Sequence, residues 1–230
     1  MRRFRFLLSF LLCASVFSAS PAFAQQSVNL FVGGFVPHGE DSRVDGDVIF
    51  NDQRFFRFDM GDFNGPTIGG EWLIAVTPFI EAGLGVGIYS QTANSTYADL
   101  INEDGSEIEQ RLKLRMVPWT ASFRVLPAGR ERPIQPYVGA GVAIISWKYS
   151  ETGDFVDFDS NIFHDRFEGS GTSVGPLVFG GVRVPAGVMD FGFEVRYQGG
   201  EGEVDPLDFA GGRKVDLGGF GYLATFNIRF

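Results

Sequence analysis

The sequence predicts an all-β chain, an eight-stranded antiparallel transmembrane β-barrel preceded by a cleavable signal peptide, on three observations. Apolar and polar residues alternate with period two through most of the chain, the signature of strands rather than of the 3.6-residue helical repeat. The segments between alternating runs are short and long by turns, as in a barrel whose two rims differ. Composition leaves room for little else: 230 residues with 25 Phe, 31 Gly and a single Cys describe one domain rich in aromatics and turn formers. One cysteine excludes a disulfide scaffold and a thiolate zinc centre, and two histidines leave little material for a His-ligated metal or a His-based catalytic set. A net charge of −9 without a basic cluster argues against nucleic acid, whose phosphates need clustered Lys and Arg.

Residues 1–24 read as an address. Arg2, Arg3 and Arg5 precede the apolar run Phe6 to Val16, and Pro21-Ala22-Phe23-Ala24 closes it with an A-x-A cleavage pattern, so cleavage is expected after Ala24. The run is shorter than the ~20 residues of a spanning helix. Cys13 lacks the small residue before it that a lipoprotein signal requires. The expected mature domain, 25–230, then carries a charge of −12.

The eight strands follow in order. Alternation runs through Val28 to Val36, Thr67 to Val76, Phe79 to Gln91, Gln110 to Val125, Pro136 to Tyr149, Thr172 to Val184, Asp190 to Gln198 and Asp216 to Phe230. The third is the clearest, with Ile80, Ala82, Leu84, Val86 and Ile88 on one face and Glu81, Gly83, Gly85, Gly87 and Tyr89 on the other. Short connections lie at Thr77-Pro78, 126–134 and 185–189; long polar ones cover 37–64, 93–109, 150–171 and 199–215. Alternation alone leaves the inward face open, because a soluble eight-stranded barrel has its apolar face inside. The glycines decide it: a row of Gly83, Gly85 and Gly87 would weaken a solvent face, whereas a narrow lumen suits small residues. Apolar side chains are therefore expected outward. In the fourth strand Leu112, Leu114 and Met116 have one parity and Ala121, Phe123 and Val125 the other, so a β-bulge is expected at Pro118, and a second at Pro176.

The chain ends with Tyr222, Ala224, Phe226, Ile228 and Phe230 on one face. In this the sequence resembles the small outer-membrane β-barrels of Gram-negative bacteria, the OmpA/OmpX-like group, over the barrel domain only. The resemblance implies an outer-membrane location with both termini periplasmic. It implies that Tyr222, Phe226, Ile228 and Phe230 form an assembly signal read by the barrel-assembly machinery after escort by periplasmic chaperones, with Thr225 where the signal often has Gly. Outer-membrane lipids and lipopolysaccharide are the expected surroundings, a monomer the expected state, and no cofactor is expected. Aromatic girdles are expected from Tyr89, Trp147, Tyr149 and Tyr197 at the long-loop ends, and from Phe79, Tyr137, Phe191 and Phe230 at the short-turn ends.

The long loops hold 22 of the 28 acidic residues and six basic ones, which predicts an acidic outer surface, either for solvation or for contact with lipopolysaccharide through cations or with a basic partner. By parity Glu71, Glu81, Arg111, Lys113, Arg115, Arg183, Glu194, Arg196 and Arg229 fall mainly inward. Such charges must pair or meet water, forming either a plug or a gated polar path for small ions. The sequence holds three further candidate sites. Asp157, Asp159, Asn161, Asp165 and Glu168 have the spacing of a calcium loop, with Ile162 where its glycine belongs. His38 and His164, with Ser42 and Ser160 nearby in sequence, are the material for a lipid A-modifying enzyme on the same barrel. Val48 to Phe58 reads as a hairpin above the membrane that caps the mouth, offers an edge to a partner, or widens the wall to ten strands. The expected function is non-enzymatic, structural or surface-interacting; a narrow pore and the lipid A-modifying enzyme are the alternatives.

Overall fold

The computed structural model describes residues 25–43, 46–157, 159–206, 208–209 and 212–230. The leader and its cleavage after Ala24 lie outside the described residues. Eight long strands close into one ring: β1 (Gln26–Pro37), β3 (Gly65–Thr77), β4 (Ile80–Ile101), β5 (Glu107–Val125), β6 (Gln135–Val156), β7 (Ile162–Ala186), β8 (Met189–Gln198) and β11 (Gly219–Arg229). Each pairs antiparallel with its neighbour, and β11 returns to β1 with Arg229 opposite Ser27 and Phe220 opposite Val36. Closure pairs both edges of every strand within the ring, and only the upper parts of β4 and β7 extend past their neighbours β3 and β8. The first and last strands meet at the short-turn rim, where the Phe230 amide donates to the Gln26 carbonyl at 3.0 Å. Three small elements sit at the other rim: a helix α1 (Val48–Asp52), the two-residue β2 (Phe56–Arg57), and the ribbon of β9 (Glu201–Glu203) with β10 (Lys214–Asp216). Among the described residues no helix is long and apolar enough to cross a membrane.

The expected eight strands are all present, but β4, β6 and β7 are much longer than the alternation suggested. The 93–109 and 150–171 connections are mostly strand, leaving turns only at 102–106 and 157–161. The reason lies in the two faces of β5. Its even residues point inward along its whole length, from Leu112, Leu114 and Met116 to Thr120, Ser122 and Arg124. Phe123 is 65 % exposed and Arg124 2 %, which fixes the face in the lower half. No bulge occurs at Pro118: the register with β6 runs unbroken through Pro118↔Ile145, and that with β4 is the same at Val86↔Trp119 and Tyr89↔Met116. Polarity changes instead of geometry. Below Val117 the strand is apolar outside and polar inside; above it Arg115, Lys113 and Arg111 face out and the apolar residues face in.

The same inversion occurs on the neighbouring strands. Outward apolar faces span Ile80 to Ile88 on β4, 136–144 on β6 and Val174 to Val184 on β7, followed upward by Ser90, Thr92 and Asn94, by Ser146 and Lys148, and by Thr172 and Ser170. Nine to eleven residues is the length that a tilted strand needs to cross the hydrocarbon layer. Beyond that band β4–β7 rise as a four-stranded wall in water and fold like a soluble barrel, apolar side inward. Pro176 also makes no bulge, since Val142↔Pro176 keeps the β6–β7 register; it stands where β8 leaves β7, its carbonyl accepting from the Gly199 amide at 2.9 Å.

The inward-facing glycines do what the narrow lumen asks of them. A Cβ on Gly83 would lie 2.6 Å from Glu71 Oε1 and 2.9 Å from Ser122 Oγ, whereas one on Gly87 would meet Phe31 and Pro118 at an ordinary 3.5 Å. Gly83→Ala is accordingly expected to cost about 1–3 kcal/mol by overpacking, and Gly87→Ala about 0.5 kcal/mol or less. Urea midpoints of the two refolded variants check the difference, and equal midpoints would refute it.

The aromatics divide differently from the expected girdles. Phe79, Phe191 and Phe230 are exposed on the outer wall and Tyr197 is half-buried, but Tyr89, Tyr137, Trp147 and Tyr149 are buried inside. Trp72, Trp119, Phe123, Phe193, Phe220 and Tyr222 carry much of the exposed aromatic surface instead. Strand-end position sorted these residues poorly because the strands end well above the membrane.

Candidate functional site

The interior has two storeys. The lower one is a layer of charge within the membrane-spanning part. Arg124 reaches from β5 to Glu71 of β3 at 2.5 Å, with Glu81 and Glu194 each at 3.9 Å. Arg183 binds Glu81 at 2.6 Å, Arg130 binds it at 3.0 Å, and Arg196 binds Glu194 at 2.6 Å. Arg229 pairs with Asp190 at the rim. The Arg124 guanidinium also lies 4.8 Å from the centre of the Tyr137 ring, and that of Arg196 lies 4.9 Å from the centre of Phe31. The Tyr137 hydroxyl donates to Glu194 at 3.0 Å, and Ser122 donates to Glu71 at 3.0 Å. Buried ions persist when they are paired, and every ion of this layer has an opposite charge beside it, although Nε of Arg124, Arg130 and Arg229 and one oxygen of Asp190 make no hydrogen bond.

Of the nine charges expected inward, Glu71, Glu81, Arg183, Glu194, Arg196 and Arg229 are in or beside this layer. Arg111, Lys113 and Arg115 are not: they are exposed on the outer wall. Their misplacement follows from the bulge assumed at Pro118. Arg124, Arg130 and Asp190 were missed, although Arg124 alternates with the lipid-facing Phe123 and Val125 and was readable from that.

The upper storey is an apolar core closed from above. Leu112, Leu114 and Met116 of β5 and Ile145, Trp147 and Tyr149 of β6 meet Val48 and Ile49 of α1, Phe56, Phe63, Phe209, Val215 and Leu217, all buried in one cluster. The segment expected as a hairpin is thus a helix and a two-residue strand, β2, that pairs with β4 at Phe56↔Tyr97. It caps the mouth without entering the ring. Asp47 holds it there: as N-cap of α1 it accepts from the Phe50 amide at 2.9 Å, and it also accepts from the Asp216 amide at 2.5 Å and from Arg43 at 2.9 Å. Between the storeys lies a pocket of about 30 Å³, lined by Phe31, Phe35, Gly87, Thr120, Arg196 and Leu223. That holds roughly one or two waters.

One polar group sits inside this apolar cap. Asp52 and Glu151 are buried as neighbours, and the Tyr149 hydroxyl donates to Asp52 at 2.9 Å. Burial pushes the Asp52 carboxyl up to about 7, and burial together with the Asp52 charge raises Glu151 well above the usual carboxylate range. The pair is stable as neighbours when a proton is shared between them.

The remaining candidates do not converge. Asp157 accepts from the Asp159 and Asn161 amides and so closes the β6–β7 turn, while Glu168 lies down the strand, bound to Lys148 at 2.8 Å and to Arg166. The five calcium candidates are therefore spread along a hairpin, and among the described residues no group of acidic or His side chains is arranged to hold a metal. His38 Nδ1 meets Asp216 at 2.9 Å and His164 Nδ1 meets Asp154 at 2.8 Å. Neither imidazole has a serine hydroxyl partner among the described residues, Ser42 ending a 3-10 turn and Ser160 lying in the β6–β7 turn. Tyr222, Phe226, Ile228 and Phe230 line the outer face of the closing strand and its end.

No protein-family description matches the chain, and no curated protein does. Solved structures do. The outer membrane protein OprG from Pseudomonas aeruginosa superposes with a TM-score of 0.55 at 14% identity, covering 90% of this chain and 96% of that one. Neisserial surface protein A gives 0.44 at 11%, covering 90% and 97%, and Escherichia coli outer membrane protein W gives 0.37 at 13%, covering 90% and 98%. With the closed ring of eight strands and the apolar outer band, the OprG superposition gives the chain the fold of a small outer-membrane β-barrel.

Proposed function

We propose that this outer-membrane barrel is a closed, non-enzymatic anchor whose work is done by its outer end, with both termini in the periplasm and the chain monomeric. The observation that carries this reading is the doubly filled lumen: an ion-paired layer below, an apolar core above, and space for a water or two between them. An eight-stranded interior is normally filled by its own side chains, and a solute would have to part both storeys. The acidic turns at the far end, including Glu103, Asp104, Asp157 and Asp159, give that end its charge and its attraction for cationic partners. The two histidines act in this reading as ties within the outer end, each held by an aspartate.

Planar-bilayer recording of the refolded protein tests it, with a heat-dependent gel shift to establish folding. The folded barrel is expected to stay silent. Resolved current steps that change in Glu194→Gln or Arg196→Gln would make the lumen a pathway and replace the anchor by a narrow pore.

A further inference from the structure

Independently of what the lumen does, the outer wall carries a concentration of positive charge that the acidic composition hides. Arg111, Lys113 and Arg115 project from β5, Lys148 from β6 and Arg166 from β7. The register makes them one patch: Arg115 stands opposite Lys148, Lys113 opposite Ser150, and Arg111 opposite Thr152, which in turn faces Arg166. Glu168 is the carboxylate within it, bound to Lys148 at 2.8 Å and to Arg166. Arg111, Lys113 and Arg115 have no carboxylate in ion-pairing range among the described residues, so the patch carries four positive charges in excess. Like charges placed directly opposite on a sheet, as Arg115 and Lys148 are, weaken the sheet unless something anionic lies between them.

The height of the patch says what that anion is. Arg115 is the next outward residue after Val117, and Lys148 follows Ile144 with Ser146 between them, so the charges begin where the apolar band stops. Two residues of strand rise by ~7 Å, which puts the lowest cations in the headgroup layer and Arg111 ~13 Å further along the strand. Thr92, Arg111, Lys113, Ser150, Thr152 and Arg166 enclose a shallow groove of about 270 Å³ on the same face, open at the side. The β1, β3, β8 and β11 walls have no such cations at this level, their next residues outward being His38, Pro66, Gly199 and Gly218. We propose that the β5–β7 face is a binding surface for the phosphorylated headgroup of an outer-leaflet glycolipid, with Arg115 and Lys148 on one phosphate and Lys113, Arg111 and Arg166 on the charges above it. This contact is direct and does not pass through bridging metal ions, in contrast to the one expected from the acidic loops.

Native mass spectrometry of the protein refolded in detergent, with bisphosphorylated lipid A as the probe, tests the assignment. The protein is expected to retain lipid A, and to lose at least about tenfold in retention when both phosphates are removed from the lipid or when Arg115→Gln and Lys148→Gln are combined. Glu168→Gln, which frees Lys148 and Arg166, is expected to raise retention about twofold. All of these side chains are exposed, so the variants fold, as a heat-dependent gel shift will verify. Retention that ignores the phosphates or the two cations would overturn the proposal. So would displacement of lipid A by millimolar inorganic phosphate, which would make the patch a site for the free anion.

Discussion

Arg124→Met is expected to destabilise the folded barrel by about 3–5 kcal/mol, the cost of leaving buried charge without its partner. Among the described residues Arg124 is the one cation in ion-pairing range of Glu71, at 2.5 Å, while Glu81 retains Arg183 and Arg130 and Glu194 retains Arg196. The damage therefore concentrates on Glu71, left with Ser122 and the more distant charge of Arg196. The urea midpoint of the gel-shift transition measures it. Arg115→Met, on the outer wall of the same strand, is the control and is expected to stay within about 0.5 kcal/mol of the parent. Combining Glu71→Gln with Arg124→Met is expected to recover at least half of the loss, because the orphaned charge is then gone. An unchanged midpoint for Arg124→Met would mean that the charge layer fills the lumen without holding it together.

The cap over the mouth is expected to loosen as the pH rises from 5 to 8. Asp52 is raised to about 7 when folded, against an ordinary aspartate value near 4 when the segment opens, so the folded cap binds more protons than the open one between those limits. Each pH unit there favours opening. The loss starts near pH 4, continues through the folded value, and amounts for Asp52 alone to on the order of 3 kcal/mol between pH 5 and 8. Glu151, also raised, pushes in the same direction. The nearby Asp47 and Arg43 form their own pair and add repulsion from Asp47. Hydrogen-exchange protection of residues 46–58, relative to that of the lower strands, should fall over this range in the parent and much less in Asp52→Asn. Protection that is flat or rises with pH in the parent would sink the idea.

The lower half of the molecule was legible because every strand there obeys one rule, apolar to lipid and polar or small to lumen. Gly83, Gly85 and Gly87 gave the inside away, and Glu71, Glu81, Arg183, Glu194 and Arg196 followed by parity. The upper half obeys the opposite rule, and nothing in a single strand marks where one gives way to the other. On β5 the change of solvent from lipid to water looks the same as a change of face, which is why Pro118 was read as a bulge and three outer cations were read as lumenal. The same ambiguity turned Val48 to Phe58 into a hairpin. Its apolar residues are spaced for a short helix closed by the Asp47 cap, and only the apolar interior of the rising wall, from Tyr89 onward and so distant in sequence, gives Val48 and Ile49 somewhere to go.

The inversion on β4–β7 also sets how the protein rides in its bilayer. A barrel with a tall apolar wall can slip up or down by a few ångströms as the lipid thickness varies, at a fraction of a kcal/mol per ångström. This one is bounded on both sides. Sinking would draw Arg115 and Lys148 toward hydrocarbon, at a cost that grows to about 2–4 kcal/mol for each as it nears the midplane, and rising would bare Ile88, Ile144 and Val174 to water. Along β5–β7 it is therefore the leaflet that must stretch or thin to meet the protein, so its lipid collar has a fixed height on that side and a compliant one along β1, β3, β8 and β11.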